Sequence, residues 1–499
     1  MAAGALLLVF AAQAVAGMLP LSATWDEITH LPSGYTYLKT GEIALNRQHP
    51  PLVKLLCALP LLALHPRADF LDPNLLETPG YEWIYGSAFL YRNDADRLLF
   101  WGRLPVVALG TLLGLYVFLW AGALFGPAAG VLALALYAFC PSFLAHTHLV
   151  TMDVGLACFA TMAFYHLWRG QSLAAGAALG AALATKFSAL AFVPAAAVLA
   201  CMAPGRGRRL ATLLLSAAAV VYLAYLLPTD PGFYAKGVEA LHRDHQPGFQ
   251  HYMLGEFKER FWSYFAVALL VKTPLPTLLA IATAAVLAVR GAWRGLQDEA
   301  FLLLPAALFF AVTTVLADDL GVRYVLPVLV LLLIFAGRVG PWLLEGRARL
   351  ALGALLLVWL VWGTLRIAPD HLAYFNELAG GPANGWKVLD DSNIDWGQDL
   401  KRLKPWMDAH GVEEISLLYT GNASPEYHGI RYRVVPQEEF RGAPRPGWYA
   451  VSVQALIRGR HWERTRGWHT DWMTRYRPAG RIGYSIYLFR FPAGTSAPL

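Results

Sequence analysis

Two adjacent carboxylates, Asp26 and Glu27, follow directly after the first apolar segment of the chain, residues 2–21. A third acid, Asp153, begins a later apolar segment. Ionisable residues within membrane segments are costly and usually serve binding or catalysis. One such carboxylate could act as a general base that takes a proton from a hydroxyl group. Taken alone, the acidic pair is better explained as an interface marker or a helix cap, and its neighbours make the case for a site.

Basic side chains lie near the outer ends of several apolar segments. They are Lys54, Lys186, Lys272 and Arg323. Any one of them could simply extend its charged end toward the lipid headgroups. Four on one face favour an anionic ligand whose phosphate lies at the membrane interface while its tail lies in lipid. We therefore predict a phosphate site on that face.

Aromatic and histidine side chains near the acids suit contacts with sugar rings or headgroups. They include Trp25, His30, Tyr35 and Tyr37, and, in a later polar loop, His242, His245 and His251. The loop histidines lack a Ser or Cys partner, which favours hydrogen bonding to substrate over a nucleophilic role. His146 and His148, with Asp153 and either Asp26 or Glu27, could instead bind a divalent metal, although the spacing is not a zinc signature.

The composition indicates what must position these residues. Of the 499 residues, 57% are hydrophobic and only 15% are charged, against about 25% charged in soluble domains. The mean hydropathy is +0.44. This indicates an α-helical polytopic membrane protein whose apolar segments end near residue 366. The net charge of +6 is mild for this length and gives no indication of nucleic-acid binding.

Apolar runs long enough to cross a bilayer, about 20 residues, recur along the chain. We predict spans at about 3–22, 99–124, 128–145, 150–168, 209–228, 265–289, 301–317, 324–340 and 350–366. Basic segments, which stay on the cytoplasmic side, lie at Arg169, 206–209, 290–294 and 338–349. They share that side only if residues 173–202 cross twice, as two short helices meeting near Lys186. The prediction is therefore eleven spans with the N-terminus inside.

This topology places the chemically interesting loops on the extracytoplasmic side. They are residues 23–98, which include an apolar helix lying in the interface, and residues 229–264. A tail domain, 369–499, follows the membrane domain, 1–368. Strand patterns at 413–421, 447–457 and 483–491, with a helix at 396–411, predict that the tail is a soluble α/β domain. Its string DDSNIDWGQD, 390–399, could either cap a helix or contact substrate.

Several strings resemble the C-type (GT-C) membrane glycosyltransferases, in particular the protein O-mannosyltransferase and lipid A aminoarabinose transferase branch. These strings are WDEITHLPSGYTYLKTG (25–41), HPPLVK (49–54), ALATKFSAL (182–190), GVRYVLP (321–327) and VLDDSNIDWGQDLKRL (388–403). Such enzymes pass one sugar from a polyprenyl-phosphate carrier to an acceptor on the outer side of the membrane. By this resemblance Asp26 corresponds to the catalytic base, Glu27 to its acidic neighbour, and Asp153 to a second acid.

The resemblance also implies which residues lie near the carrier phosphate. His49, Lys54 and Lys186 correspond to that group, and Arg323 could add positive charge beside it. The aminoarabinose branch carries a lysine where His49 stands. Fixed positive charge would stabilise a departing polyprenyl phosphate, and Tyr35, His30, His242 and His245 are the predicted substrate contacts.

These observations predict a polyprenyl-phosphate-sugar-dependent glycosyltransferase of the cell membrane, acting by inversion on an extracytoplasmic lipid, glycan or protein. No cofactor is required by the prediction, with a divalent cation as an open alternative. The rival function is a lipid or solute transporter, which would also carry charges within the membrane. Transporters usually show paired repeats, and no repeat is evident here.

Overall fold

The computed structural model describes residues 1–76, 78–202, 205–244, 248–290, 296–441, 444–467 and 470–492. The helices up to residue 367 are α1 (Ala2–Met18), α2 (Glu27–Thr40), α3 (Leu52–Ala58), α4 (Tyr81–Tyr91), α5 (Ala95–Phe125), α6 (Pro127–Ala138), α7 (Pro141–Thr147), α8 (Asp153–Trp168), α9 (Ser172–Leu183), α10 (Phe192–Cys201), α11 (Arg206–Ala224), α12 (Phe233–Asp244), α13 (Tyr264–Lys272), α14 (Leu275–Arg290), α15 (Leu296–Leu316), α16 (Leu326–Ala336), α17 (Val339–Leu344) and α18 (Arg347–Ile367).

Several of these helices are long and apolar enough to cross a membrane. In the described part of the chain they are Ala95–Phe125, Arg206–Ala224, Asp298–Leu316, Val322–Leu344 and Arg347–Ile367. The bent pairs α6–α7 and α13–α14, with bends of 63° and 113°, bring the candidates to seven if each pair is one span. The chain is thus a multi-pass membrane protein, as predicted, and the count of eleven spans stays a prediction.

The apolar block 173–202 is interrupted where the charge pattern indicated. Helix α9 ends at Leu183 and α10 begins at Phe192, with a short 3-10 helix, Phe187–Ala191, between them. Lys186 lies in the break in extended conformation, with φ −151° and ψ 135°. The predicted pair of short helices meeting near Lys186 is therefore present, and the break turns a lysine away from the helix axis.

The segment after α1 folds into the bundle rather than forming an open loop. Helix α2 starts directly after Asp26, and its residues are buried from Glu27 to Tyr37. It packs against α3 and α4 and ends at Gly41, whose left-handed φ of 74° suits a glycine. A helix is present where the interfacial helix was predicted, as α3 and a following 3-10 turn, Leu59–Ala63, but it packs inside the bundle against α2 and α5. Residues 26 and 27 are therefore held at the first turn of a buried helix.

The tail contains a mixed sheet. Its further helices are α19 (Leu403–Ala409), α20 (Gln437–Arg441), α21 (Val453–Arg466) and α22 (Trp472–Arg475), and the strands of the chain are β1 (His251–Met253), β2 (Glu256–Lys258), β3 (Ile415–Leu418), β4 (Tyr432–Val434), β5 (Gly447–Ser452), β6 (Gly480–Ile482) and β7 (Ile486–Phe491). The described tail strands pair in the order β4-β3-β5-β7-β6. Strand β3 pairs in parallel with β4 and β5, whereas β7 pairs antiparallel with β5 and β6. Strands β3, β5 and β7 lie where the sequence patterns indicate strands, but the predicted helix 396–411 is reduced to α19 and one 3-10 turn.

The start of the tail is joined to the membrane bundle through backbone contacts. The Ser22 amide donates to the Gln398 carbonyl at 2.9 Å, and the Trp25 amide donates to the Trp396 carbonyl at 3.1 Å. The ammonium of Lys272 donates to the Asn393 carbonyl at 2.6 Å. The string DDSNIDWGQD therefore lies against the end of the bundle at which α1 ends.

Candidate active site

Arg323 is the centre of a charged cluster between the bundle and the tail. Its Nη1 lies 3.1 Å from Asp26 Oδ2 and 3.5 Å from Asp153 Oδ2. Its Nε donates to Ser392 Oγ at 3.2 Å, and the side chain is 10% exposed. The two acids, which lie at the starts of α2 and α8, are thus brought to one guanidinium.

Lys186 completes the cluster from the break between α9 and α10. Its Nζ lies 2.6 Å from Asp153 Oδ1, and it also lies 4.3 Å from the ring centroid of Tyr324. Asp153 is therefore held between two cations and is 1% exposed. This arrangement makes Asp153 a fixed negative charge that orients Lys186 and Arg323.

Asp26 is the accessible acid of the cluster. Its side chain is 18% exposed, compared with 1% for Asp153. It precedes the first turn of α2 without capping it through its side chain, so one carboxylate oxygen remains available beyond the contact with Arg323. A carboxylate in this position can accept a proton from a bound hydroxyl group.

Glu27, although adjacent to Asp26, is fully buried and already saturated. Arg103 donates to both of its carboxylate oxygens, at 2.8 and 2.7 Å. The Thr24 amide and hydroxyl and the Val150 amide also donate to it, each at 2.9 Å. Burial alone would raise the pKa of Glu27, but Arg103 and these donors hold it below the usual value. The geometry therefore favours a role in holding three segments together over the predicted contact with reactants.

Arg103 is a residue that the sequence analysis missed. It lies on α5, is 2% exposed, and donates to the carbonyls of Met18 and Ser22 as well as to Glu27. A signal was present, because an arginine within the apolar run 99–124 has to find a partner. Its partner could not be identified without knowing that α2 turns back onto α5.

Lys54 does not extend its charged end toward the lipid headgroups, as a lysine on an interfacial helix would. It is completely buried. Its Nζ donates to the carbonyl and side-chain oxygens of Asn46, at 2.7 and 3.2 Å, and to the hydroxyl of Tyr37 at 3.0 Å. Because α3 packs into the bundle instead of lying on the membrane surface, this ammonium holds the loop before α3 and contributes its charge from within.

His30 and His49 form an edge-to-face pair with ring centroids 5.1 Å apart. His30 Nδ1 is 2.9 Å from the Val150 carbonyl. Burial lowers the pKa of His49 well below its usual value, and the charges of Lys186, Lys54 and Arg323 lower it further. Three of the four predicted cations therefore act on His49.

A cavity of about 580 Å³ opens beside His49. It lies between the loop that follows α2 and helix α12, and its lining includes both basic and acidic side chains. These are Arg47, Lys236 and Arg243 on one hand and Asp230 and Glu239 on the other. The cavity therefore borders the cationic cluster through a neutral histidine and has a modest excess of positive charge.

The other predicted substrate contacts are not brought to the cluster. Tyr35 is buried in the bundle, 5.2 Å from the ring of Phe89. His242 lies exposed on α12, and His245 lies outside the described residues. Within the described part of the chain, no group of three or more His, Cys, Asp or Glu side chains has a metal-binding arrangement.

Comparison with known proteins identifies the fold. A family profile described as dolichyl-phosphate-mannose-protein mannosyltransferase matches residues 77–229, which include Asp153 and Lys186 but less than a third of the chain. No curated protein matches the sequence. Several solved structures, in contrast, match almost the full length of this chain, and two of them are described next.

The first is ArnT from Cupriavidus metallidurans bound to undecaprenyl phosphate, with 15% identity and a TM-score of 0.50 over 99% of this chain and 98% of that one. The second is the Archaeoglobus fulgidus oligosaccharyltransferase tethered to an acceptor peptide containing the NVT sequon, with 12% identity and a TM-score of 0.50 over 95% and 72%. At such identities the similarity concerns the fold. The GT-C fold predicted from the sequence strings is confirmed.

Proposed function

We propose that this protein transfers one sugar from a polyprenyl-phosphate carrier to an acceptor hydroxyl on the extracytoplasmic side of the cell membrane. The observation that carries the proposal is the accessible carboxylate of Asp26, held by Arg323 in a cluster that also contains Asp153 and Lys186. A base beside fixed positive charge is what transfer from a phosphate carrier needs. The fold shared with the undecaprenyl-phosphate-bound ArnT supports the choice of carrier.

The polyprenyl-phosphate sugar donor would bind on the side of the cluster that carries the cations. A polyprenyl phosphate leaves as a stable anion, so its departure needs fixed positive charge more than it needs a general acid. Arg323 and Lys186 supply that charge, and His49, on which both cations act, lines the neighbouring cavity. We place the carrier phosphate between His49 and these two cations, with the polyprenyl chain in lipid.

The transfer is a single displacement. The acceptor oxygen attacks the anomeric carbon, and the bond from that carbon to the phosphate oxygen breaks with its electron pair leaving on the phosphate. Asp26 takes the proton of the acceptor hydroxyl. One displacement inverts the anomeric configuration, and help from such a base is typically worth roughly 10²–10⁴-fold in rate.

The acceptor would approach from the side of Trp25. This residue directly precedes Asp26 and is 39% exposed, in contrast to the buried aromatic side chains of α2. It packs edge-on against Trp83, with ring centroids 5.8 Å apart. Arg323 contacts Asp26 Oδ2, so we propose that the acceptor hydroxyl approaches the carboxylate past this aromatic pair.

A transfer assay with purified protein tests the proposal. Detergent-solubilised or liposome-reconstituted protein is supplied with a radiolabelled polyprenyl-phosphate sugar and membrane lipid or glycan acceptors. We expect wild-type protein to transfer label to an acceptor, and Asp26→Asn to do so at a rate at least about 10²-fold lower. Asp96→Asn is the matched control, because Asp96 is also a partly exposed acid at the start of a helix with one ion pair, to Lys401 at 2.8 Å.

Two outcomes would contradict the proposal. The first is transfer by Asp26→Asn at the wild-type rate, which would remove Asp26 as the base. The second is carrier movement across the liposome membrane without any transfer of label, which would favour the transporter function instead.

A further inference from the structure

The polar string of the tail contacts the charged cluster directly. We infer that Ser392 and Trp396 are positioning residues that fix the guanidinium of Arg323 between Asp26 and Asp153. The inference rests on the proposed function, since it concerns the same arginine. It assigns a role to a segment that is about 70 residues along the chain from Arg323 and lies outside the membrane bundle.

Ser392 holds one edge of the guanidinium. Ser392 is 1% exposed, and its hydroxyl donates to the Leu320 carbonyl at 2.6 Å. Because the hydroxyl proton is committed to that carbonyl, the oxygen presents a lone pair to Arg323 Nε, 3.2 Å away. A hydroxyl oriented in this way can accept a hydrogen bond from the guanidinium only when the guanidinium lies at this position.

Trp396 holds one face of the guanidinium. The guanidinium carbon lies 4.3 Å from the Trp396 ring centroid and 4.9 Å from the Tyr324 ring centroid. Contacts between a cation and an aromatic face are attractive, and more so away from water. Trp396 itself is fixed, because its amide donates to Gln398 Oε1 at 2.7 Å and its carbonyl accepts from Trp25.

The segment that carries both residues is anchored at its centre and at its far end. Asn393 accepts a hydrogen bond from the Val322 amide at 3.0 Å, next to Arg323 in the chain. Asp395 accepts from the Ser452 hydroxyl and the Gln454 amide, at 2.5 and 3.2 Å, which ties the segment to the end of β5. Ser392 and Trp396, which contact the edge and the face of the guanidinium, therefore move only if the tail moves.

The consequence concerns a long and flexible side chain. Arginine carries about 2 kcal/mol of rotamer entropy, and two carboxylates alone would let its guanidinium settle on either acid. Ser392 and Trp396 leave one arrangement, in which Nη1 lies between Asp26 and Asp153. An incoming donor phosphate then meets a positive charge whose position is already determined.

The test uses the full-length purified protein and separates donor KM from kcat. Ser392→Ala and Trp396→Leu should each raise the donor KM about tenfold, as expected for losing a contact to a charged group, and leave the acceptor KM within twofold of wild type. Ser392→Thr and Trp396→Phe keep a hydroxyl and an aromatic face, and should restore most of the donor affinity. Ser424→Ala, a change to a partly exposed tail serine whose hydroxyl donates to Glu426 at 2.8 Å, is the control.

Gly321→Ala offers an independent perturbation. A Cβ at Gly321 would lie 2.3 Å from Ser392 Oγ, so the hydroxyl must move although no functional group has been removed. We expect the same rise in donor KM as for Ser392→Ala. Combining Gly321→Ala with Ser392→Ala should add little further, since both changes act through one hydroxyl.

The outcomes distinguish the two hypotheses. Wild-type transfer together with unchanged donor KM in Ser392→Ala and Trp396→Leu would overturn the positioning role and leave the proposed function intact. Absence of transfer by wild type would overturn the proposed function. In that case a double-mutant cycle of Arg323→Met and Ser392→Ala, read by denaturant unfolding, decides the inference: non-additive effects support it and additive effects overturn it.

Discussion

Asp26 and Glu27 are neighbours in the chain, and substituting each of them should give opposite phenotypes. Glu27→Ala should destabilise the protein, whereas Asp26→Asn should abolish transfer and leave the fold intact. The difference follows from their surroundings, because Glu27 is fully buried with five donors on its carboxylate and Asp26 is partly exposed with one.

The magnitude for Glu27 can be worked from its contacts. Removing one partner of a buried ion pair typically costs about 3–5 kcal/mol, because the remaining charge, here on Arg103, stays buried without compensation. The amides of Thr24 and Val150 would also lose their acceptor, each worth about 1–3 kcal/mol. These costs share one site and do not simply add, so we expect a loss of at least about 4 kcal/mol in unfolding free energy.

Asp26→Asn should cost far less. The asparagine side chain has the same shape, and its amide oxygen can still accept from Arg323, so about 1 kcal/mol is expected. Denaturant unfolding of both variants in one detergent, read by intrinsic tryptophan fluorescence, measures the two costs. The transfer assay on the same preparations measures the two rates.

Glu27→Gln gives the decisive comparison. It keeps the shape of the side chain but places an amide nitrogen against the guanidinium of Arg103, so stability should fall and any residual folded protein should remain active. A Glu27→Gln protein with wild-type stability and no transfer activity would refute the reasoning, because it would show that Glu27 acts on the reactants.

Three further predictions concern other parts of the molecule. Burial raises the pKa of Asp395 from 3.8 to about 7, so the folded state holds this proton more tightly than the unfolded state and its contribution to stability is lost as the pH rises through about 7. Asp395→Asn should therefore flatten the fall in unfolding free energy between about pH 4, where the unfolded carboxyl ionises, and about pH 7, a difference on the order of 4 kcal/mol across that whole window; an unchanged slope would contradict this. Lys186→Met should raise the donor KM about tenfold or more by removing a cation from the phosphate site, with Lys401→Met as a control whose kinetics stay at wild-type values. Gly34→Ala should prevent folding at normal yield, since its Cβ would lie 2.1 Å from the Lys54 carbonyl oxygen, and a well-folded variant by size-exclusion chromatography would be inconsistent with the packing of α2 on α3.

The sequence was sufficient for the features that depend on residue type and local pattern. Apolar runs predicted a multi-pass helical protein, and the positions of the basic loops predicted that the block 173–202 is two short helices meeting near Lys186. The alternation of apolar residues located β3, β5 and β7. The apolar runs and the alternation are local to the features that they predict, whereas the break near Lys186 followed from the charges of several loops along the chain.

The site could be predicted only in part, because its contacts join segments far apart in the chain. The sequence indicated that Asp26, Asp153, Lys186 and Arg323 share a face, and the structure places them within one cluster. It did not indicate that Lys54 would be buried by the packing of α3. The different surroundings of the adjacent acids Asp26 and Glu27 depend on which side of α2 each one faces, and no local sequence pattern contains that information.

The contact between residues 22 and 398 also has a consequence for biosynthesis. The chain is made from its N-terminus, so Asp26, Asp153 and Lys186 enter the membrane while the residues that hold Arg323 in place have not yet been synthesised. Contacts at this sequence separation form late, because the entropy of closing a long loop is lost before the contacts stabilise the structure. A truncated or newly inserted chain therefore carries the acids without a fixed arginine beside them. The charged cluster is therefore completed only when the tail has docked on the bundle, which makes docking the last step of its assembly.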